Sequence, residues 1–132
     1  YFKGRKVALF SVPGAFTPTC SAQHVPSYVG NADALKAKGV SAVACVSVND
    51  AFVMKAWGEA QGVGDAVEML ADGNGEFARA TGLTLDASGF GLGERSTRFS
   101  MIVDDGKLSQ LNVESNPSEM DVSSAEHMLG QL

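Results

Sequence analysis

The sequence predicts an α/β fold: a mixed central sheet flanked by helices, ending in a β-hairpin and a C-terminal helix. Three observations carry this. Residues 6–12 (KVALFSV) and 40–48 (VSAVACVSV) are continuous apolar runs rich in β-branched residues, the pattern of strands buried on both faces. Helical stretches separate the strands of the front half, which calls for parallel strands joined by right-handed crossovers. Asp104-Asp105-Gly106 lies between two further strand-like runs, 98–103 and 107–113, and is a strong hairpin signal.

The first strand ends at Pro13 and Gly14, which open a turn. Residues 18–38 read as a helix. Pro26 inside it removes one backbone hydrogen bond and predicts a kink or break, and Gly39 stops it. After the second strand, Asn49 or Asp50 caps another helix. Phe52, Val53, Ala56, Trp57 and Ala60 recur there at one-face spacing, which puts Phe52 and Trp57 in the core. Residues 67–71 form a short strand, 75–81 a short helix stopped by Gly82, and 86–97 a polar, glycine-rich loop. Ser123 with Glu126 three positions on is a capping box for the last helix, which runs to the end of the chain. The resulting order is that of a thioredoxin-like α/β sandwich.

The 132 residues make one domain, and 45% hydrophobic content is ordinary for a globular chain. No apolar run approaches the roughly 18–20 residues needed to span a bilayer, and no signal-peptide pattern is visible. A cytoplasmic setting is expected, or an organellar one if a targeting segment precedes Tyr1; because the chain opens on Tyr rather than Met, an upstream segment is expected. A net charge of −5 argues against nucleic acid as a partner, since phosphate binding needs a concentrated basic surface. Two cysteines without a disulfide pattern read as reactive or buried thiols.

The most informative stretch is 13–20, Pro-Gly-Ala-Phe-Thr-Pro-Thr-Cys. Thr17 suits the N-cap role, Pro18 the first helical position, and Cys20 falls in the first turn. Backbone N–H groups without intrahelical partners point at that sulfur, so thiolate is favoured there. Ionisation alone is a weak lever. A free thiol is roughly 3% thiolate at neutral pH, so full ionisation gains about 30-fold, whereas enzymatic accelerations begin near 10⁶. Further groups have to place the substrate and take up moving charge. The Thr17 hydroxyl, Pro13 as a wall against water, and an arginine are suited to this. Arg98 is the first candidate and Arg95 the second. His24 lies four residues after Cys20, on the same helical face, either tuning the thiolate, meeting a reductant, or serving as a structural histidine. A zinc site from Cys20, His24, Cys45 and His127 lacks the usual short ligand spacing.

VPGAFTPTCSAQHVP, followed by VACVSVNDAFVMKAWG, LADGNGEFARATGL and RFSMIVDDGKL, resembles the peroxiredoxins of the type II or fifth-class subfamily over nearly the whole chain. The resemblance implies a thioredoxin-fold peroxidase that reduces hydrogen peroxide and alkyl hydroperoxides with no metal or organic cofactor. It assigns the motif to Pro13, Thr17 and Cys20, and the arginine to Arg98. It also implies a strand pair ahead of Tyr1 and a homodimer packed through loops beside the site, where Phe16 is a candidate interface contact or pocket wall. Some relatives resolve the oxidised sulfur with a C-terminal cysteine; residues 121–125 (DVSSA) contain none. Cys45 then reads as a buried small hydrophobe or as an internal resolving thiol. The expected cycle uses one cysteine and an external thiol, from glutathione with glutaredoxin or from thioredoxin. The rival readings are a disulfide oxidoreductase, disfavoured because Thr17 stands where Cys-x-x-Cys needs a thiol, and a peroxide sensor using the same sulfur.

Overall fold

In the computed structural model, which describes residues 2–17, 19–116 and 119–132, the first apolar run forms β1 (Lys6–Ser11) and the second β2 (Ala42–Ser47). A π-helical turn, Cys20–His24, leads into α1 (Val25–Ala37) between them. Then come α2 (Ala51–Gln61), β3 (Glu68–Ala71), α3 (Glu76–Thr81), β4 (Thr84–Asp86), a 3₁₀ turn at Ser88–Phe90 and β5 (Glu94–Ser96). The chain closes with β6 (Phe99–Asp104), β7 (Lys107–Val113) and α4 (Ala125–Leu129).

The main sheet has the order β3-β2-β1-β6-β7. β1 pairs parallel with β2, and β2 with β3; β6 is antiparallel to both β1 and β7. This is the mixed thioredoxin-like sheet that the element order predicts. Alternation along β1 divides two cores. Ala8 and Phe10 face a cluster with Tyr28, Leu35, Trp57, Cys45 and Cys20, while Val7 and Leu9 face Ala44, Val46, Phe99 and Met101. Because both faces are covered, the central strands show no polar alternation. The hairpin turns through Asp105 and Gly106, at φ 50° and 80°, the left-handed pair that a two-residue turn between twisted strands needs.

Four local expectations are corrected. The helix expected over 18–38 is divided: Val25 donates its N–H to the Cys20 carbonyl in the wider π spacing, and α1 then starts with Pro26 in its first turn, where a missing N–H does no harm. Phe52 is 86% exposed, whereas Met54, Trp57 and Gly58 form the buried face of α2. Residues 52 and 57 are five apart, about 140° around a helix, so they do not share a face. The 86–97 loop contains β5 and the last residue of β4, paired in a small ladder from Thr84↔Ser96 to Asp86↔Glu94. The last helix is capped by Ser124, whose hydroxyl accepts from the His127 N–H at 3.1 Å, while the Ser123 hydroxyl donates to Glu114. The charge-assisted bond to the Glu114 carboxylate turns the Ser123 hydroxyl toward β7, which leaves the accepting role at the cap to Ser124. No helix among the described residues is long and apolar enough to cross a membrane.

Candidate active site

At the C-terminal edge of β1, Val12 still donates to the Val46 carbonyl at 3.2 Å, and the chain then turns sharply through Gly14–Thr17. Thr17 donates its N–H to the Gly14 carbonyl at 3.4 Å, and Phe16 takes a left-handed φ of 64°. A phenylalanine rarely adopts that conformation, which costs on the order of 1 kcal/mol. The turn is held from below by Asn49, whose Oδ1 accepts the Ala15 N–H at 3.0 Å and the Ser47 hydroxyl at 2.6 Å. A Cβ on Gly14 would lie 3.2 Å from Thr17 Cγ2, so glycine lets the Thr17 side chain approach closely.

Thr17 does not cap with its side chain. Its carbonyl accepts the Ser21 N–H at 2.9 Å, while Oγ1 lies 2.7 Å from the Gly14 carbonyl and 2.9 Å from Cys20 Sγ. A hydroxyl has one proton, so Thr17 serves the carbonyl or the sulfur, one at a time. When the sulfur is a thiol it can donate to Oγ1; when it is a thiolate it becomes a second acceptor. Pro18 lies outside the described residues.

Arg98 immediately precedes β6, and the pairing Ser11↔Phe99 brings it beside the end of β1. It is only 2% exposed. Nη2 donates to Cys20 Sγ at 3.0 Å, and Nη1 donates to His24 Nδ1 at 2.7 Å. Guanidinium has no acceptor, so His24 Nδ1 must carry the lone pair, and its Nε2–H donates to the Ser123 carbonyl at 3.0 Å. Burial, and next the Arg98 charge, lower the His24 pKa to about 3, while the Ser123 carbonyl pulls it the other way. His24 is therefore a neutral imidazole of one defined tautomer. Tyr28 donates its hydroxyl to the same carbonyl at 2.8 Å.

Cys20, Thr17, Arg98 and His24 thus converge, and Pro13 sits half-buried at the head of the same turn. The sulfur has no exposed surface. Arg95 takes another part: Nη1 donates to the Val48 carbonyl and Nε to the Leu92 carbonyl, both at 2.9 Å, bracing the backbone near Gly14. Cys45 is a free buried thiol in the middle of β2, between Phe10 and Met69 on the neighbouring strands. Burial, and next the proximity of Cys20, push its thiol well up, against a downward pull from Arg98. Trp57 donates Nε1–H to the Ser21 hydroxyl at 3.0 Å, tying α2 to the turn that carries the sulfur. Phe16, 56% exposed, rests near the Trp57 ring. Among the described residues no group of His, Cys, Asp or Glu is placed to hold a metal ion. The residue reading did not single out Asn49 as a brace or Glu114 and the Ser123 carbonyl as parts of this network. Only the capping preference of Ser123 marked that segment.

The family model described as Redoxin matches residues 1–129. Peroxiredoxin-2F, mitochondrial, of Arabidopsis thaliana is 50% identical over 131 residues, 99% of this chain and 65% of that protein. Peroxiredoxin-2E-2, chloroplastic, of Oryza sativa subsp. japonica is 54% identical over 132 residues, 98% of this chain and 58% of that protein. The chain therefore spans less than two thirds of the length of these two curated relatives. Reduced Prx3 of Vibrio vulnificus in complex with hydrogen peroxide is 57% identical and superposes with a TM-score of 0.94, over 99% of this chain and 84% of that one. On this fold, this constellation and these likenesses, the chain belongs to the redoxin family and, within it, to the type II peroxiredoxins.

Proposed function

We propose that the chain is a thiol-dependent peroxidase reducing hydrogen peroxide and alkyl hydroperoxides, with Cys20 as the attacking sulfur. The observation that carries this reading is the sulfur held between two donors, Thr17 Oγ1 at 2.9 Å and Arg98 Nη2 at 3.0 Å. The thiolate attacks the nearer peroxide oxygen in line with the O–O bond. A sulfur–oxygen bond forms, the O–O bond breaks, and its electron pair leaves on the distal oxygen, which takes up a proton as water or an alcohol. The sulfur, oxidised by two electrons, becomes a sulfenic acid. Arg98 and Thr17 stabilise the charge as it passes from sulfur to oxygen. Charge-assisted donors contribute on the order of 1.5–3 kcal/mol each in a desolvated site. Pro13 keeps water from the turn without offering a competing N–H. The fully buried sulfur favours slender hydroperoxides over bulky ones.

An external thiol then attacks the sulfenic sulfur, water leaves, and a second thiol releases Cys20 from the mixed disulfide. Glutathione with glutaredoxin, or thioredoxin, fits this cycle. Cys45 is the poorer resolving thiol because it is buried in β2 and held protonated. The exposed Phe16, in the turn that leads to Cys20, supports a homodimer packed through this loop.

Rapid mixing of the reduced protein with peroxide tests the reading. Cys20→Ser is expected to abolish consumption, Arg98→Lys to slow it by about 10²-fold with the fold intact, and Cys45→Ser to sustain turnover with glutathione and glutaredoxin. Continued turnover by Cys20→Ser would refute the assignment. Intact mass after one equivalent of peroxide separates the routes: a glutathione adduct on Cys20 supports the external cycle, and a loss of two hydrogens with both thiols blocked supports Cys45.

A further inference from the structure

We propose that Glu114 is a positioning residue for this reaction, holding the Arg98 guanidinium against Cys20 through Ser123 and His24. The proposal rests on the peroxidase reading of Cys20 and Arg98.

Glu114 follows β7 and is buried. Its backbone N–H donates to the Arg98 carbonyl at 3.0 Å, carrying the β6–β7 pairing one step past the ladder. Its Oε2 gathers three donors from the segment ahead of α4: the Asp121 N–H at 2.7 Å, the Ser123 N–H at 2.8 Å and the Ser123 hydroxyl at 2.5 Å. The Ser123 carbonyl in turn accepts from His24 Nε2–H, His24 Nδ1 accepts from Arg98 Nη1, and Arg98 Nη2 reaches the sulfur. The circuit begins on the backbone of Arg98 and returns to its side chain.

Each link passes on a direction. Residues 121–123 belong to no helix or strand, so the placement of the Ser123 carbonyl depends on what grips its N–H and hydroxyl, together with the Tyr28 hydroxyl that donates to the carbonyl itself. That carbonyl and the Arg98 N–H together select the Nε2–H tautomer of His24. Should the carbonyl swing away, Nε2–H loses its acceptor and Arg98 alone opposes a proton on Nδ1. An N–H there would face an Arg98 N–H, two donors at 2.7 Å, and the guanidinium would be pushed off the sulfur. Burial raises the Glu114 carboxyl, but the Ser123 hydroxyl and the N–H groups of Asp121, Ser123 and Val122 outweigh it and hold the carboxyl below its usual range. It therefore stays ionised and keeps its grip at neutral pH. A purely mechanical fastener for the C-terminal segment would show the same bonds but would not act through His24, and that difference is measurable.

The experiment combines stopped-flow oxidation of Cys20 by hydrogen peroxide with ¹⁵N NMR of the His24 ring. In wild type, His24 should show one nitrogen protonated and one bare. Glu114→Ala is expected to slow oxidation about 10-fold, the size of a typical loss from a group that orients another, and to give mixed ring tautomers. Glu114→Gln, which keeps one acceptor oxygen without the charge, should be intermediate in both. In a His24→Phe background, which keeps a ring against Phe10 and Tyr28 but removes both nitrogens, Glu114→Ala should cost no further rate. An unchanged rate and tautomer in Glu114→Ala, or a full additive loss in the His24→Phe background, overturns the proposal. If Glu114→Ala does not fold, Glu114→Gln decides by the same two readings. A wild type that leaves peroxide unconsumed would defeat the peroxidase reading instead, while the ring spectrum would still report on Glu114.

Discussion

Acidification from pH 7 to pH 5 should remove about 2 kcal/mol of stability through His24 alone. The side chain is buried, both ring nitrogens are used, and the Arg98 guanidinium lies 2.7 Å from Nδ1. Its pKa falls from 6.5 to about 3, first from burial and then from the Arg98 charge. A depressed folded-state pKa means that the unfolded chain takes the proton first. The contribution is therefore fully present above pH 6.5 and is lost progressively as the pH falls toward 3. Within that window one proton separates the two states, and stability drops by about 1.4 kcal/mol per pH unit. From pH 7 to pH 5 the loss is about 2 kcal/mol, a large share of a small domain's margin. The assay is urea unfolding of the reduced protein at pH 7, 6 and 5, beside His24→Gln. Glutamine retains an acceptor for Arg98 and a donor for the Ser123 carbonyl but has no titrating proton. Comparing the two proteins cancels the carboxylates and the exposed His127. The wild-type advantage should shrink by about 2 kcal/mol across the range. Parallel stability curves would refute the claim that His24 is held neutral by burial and Arg98.

Three more outcomes follow from the same geometry. Thr17→Val keeps the shape but loses the hydroxyl shared between Gly14 and the sulfur; peroxide oxidation should slow by roughly 10- to 10²-fold, and Thr17→Ser should recover most of the rate in stopped flow. Cys45, pushed up by burial and then by Cys20, should resist iodoacetamide at pH 8 until the protein unfolds; intact mass of the native protein should show no adduct on it. Gly58→Ala gains about 1 kcal/mol of helix propensity. Its Cβ, however, would fall 2.9 Å from Met69 Cγ and 3.4 Å from Val63 Cγ2, so a net loss of about 1–2 kcal/mol is expected in urea unfolding.

Residues 13–20 were legible because their chemistry is local. A turn glycine, a hydroxyl and a thiol within eight positions can meet only in a few ways, and the strand before them says which end of the sheet they occupy. Arg98 stands 78 positions from Cys20, yet it is legible because it opens a strand-like run after a loop, and the family has an arginine there. The errors came where two readings satisfy the same local rule. Ser123 and Ser124 are both good caps, and only the Glu114 carboxylate, nine positions upstream of Ser123, decides between them. Phe52 reads as core because it shares an apolar repeat with Val53, Ala56 and Ala60, although its angle around α2 lies well away from that of the buried Trp57. The β4–β5 ladder is short and polar, so no apolar period announces it.

The network behind the sulfur was illegible for a deeper reason. His24 meets the Ser123 carbonyl across 99 positions and Arg98 across 74. A backbone carbonyl has no sequence signature, since every residue supplies one. What distinguishes Ser123 is the direction of its carbonyl, and its N–H and hydroxyl are gripped by a carboxylate nine positions upstream in the same connection. A sequence displays donors and acceptors; it does not display which pairs a fold will bring to 3 Å. Residues that would act on the proposed chemistry without touching its substrate are therefore the ones that sequence reading finds last. In this chain they converge on Arg98, whose side chain is bonded both to the sulfur and to the histidine that donates to the Ser123 carbonyl.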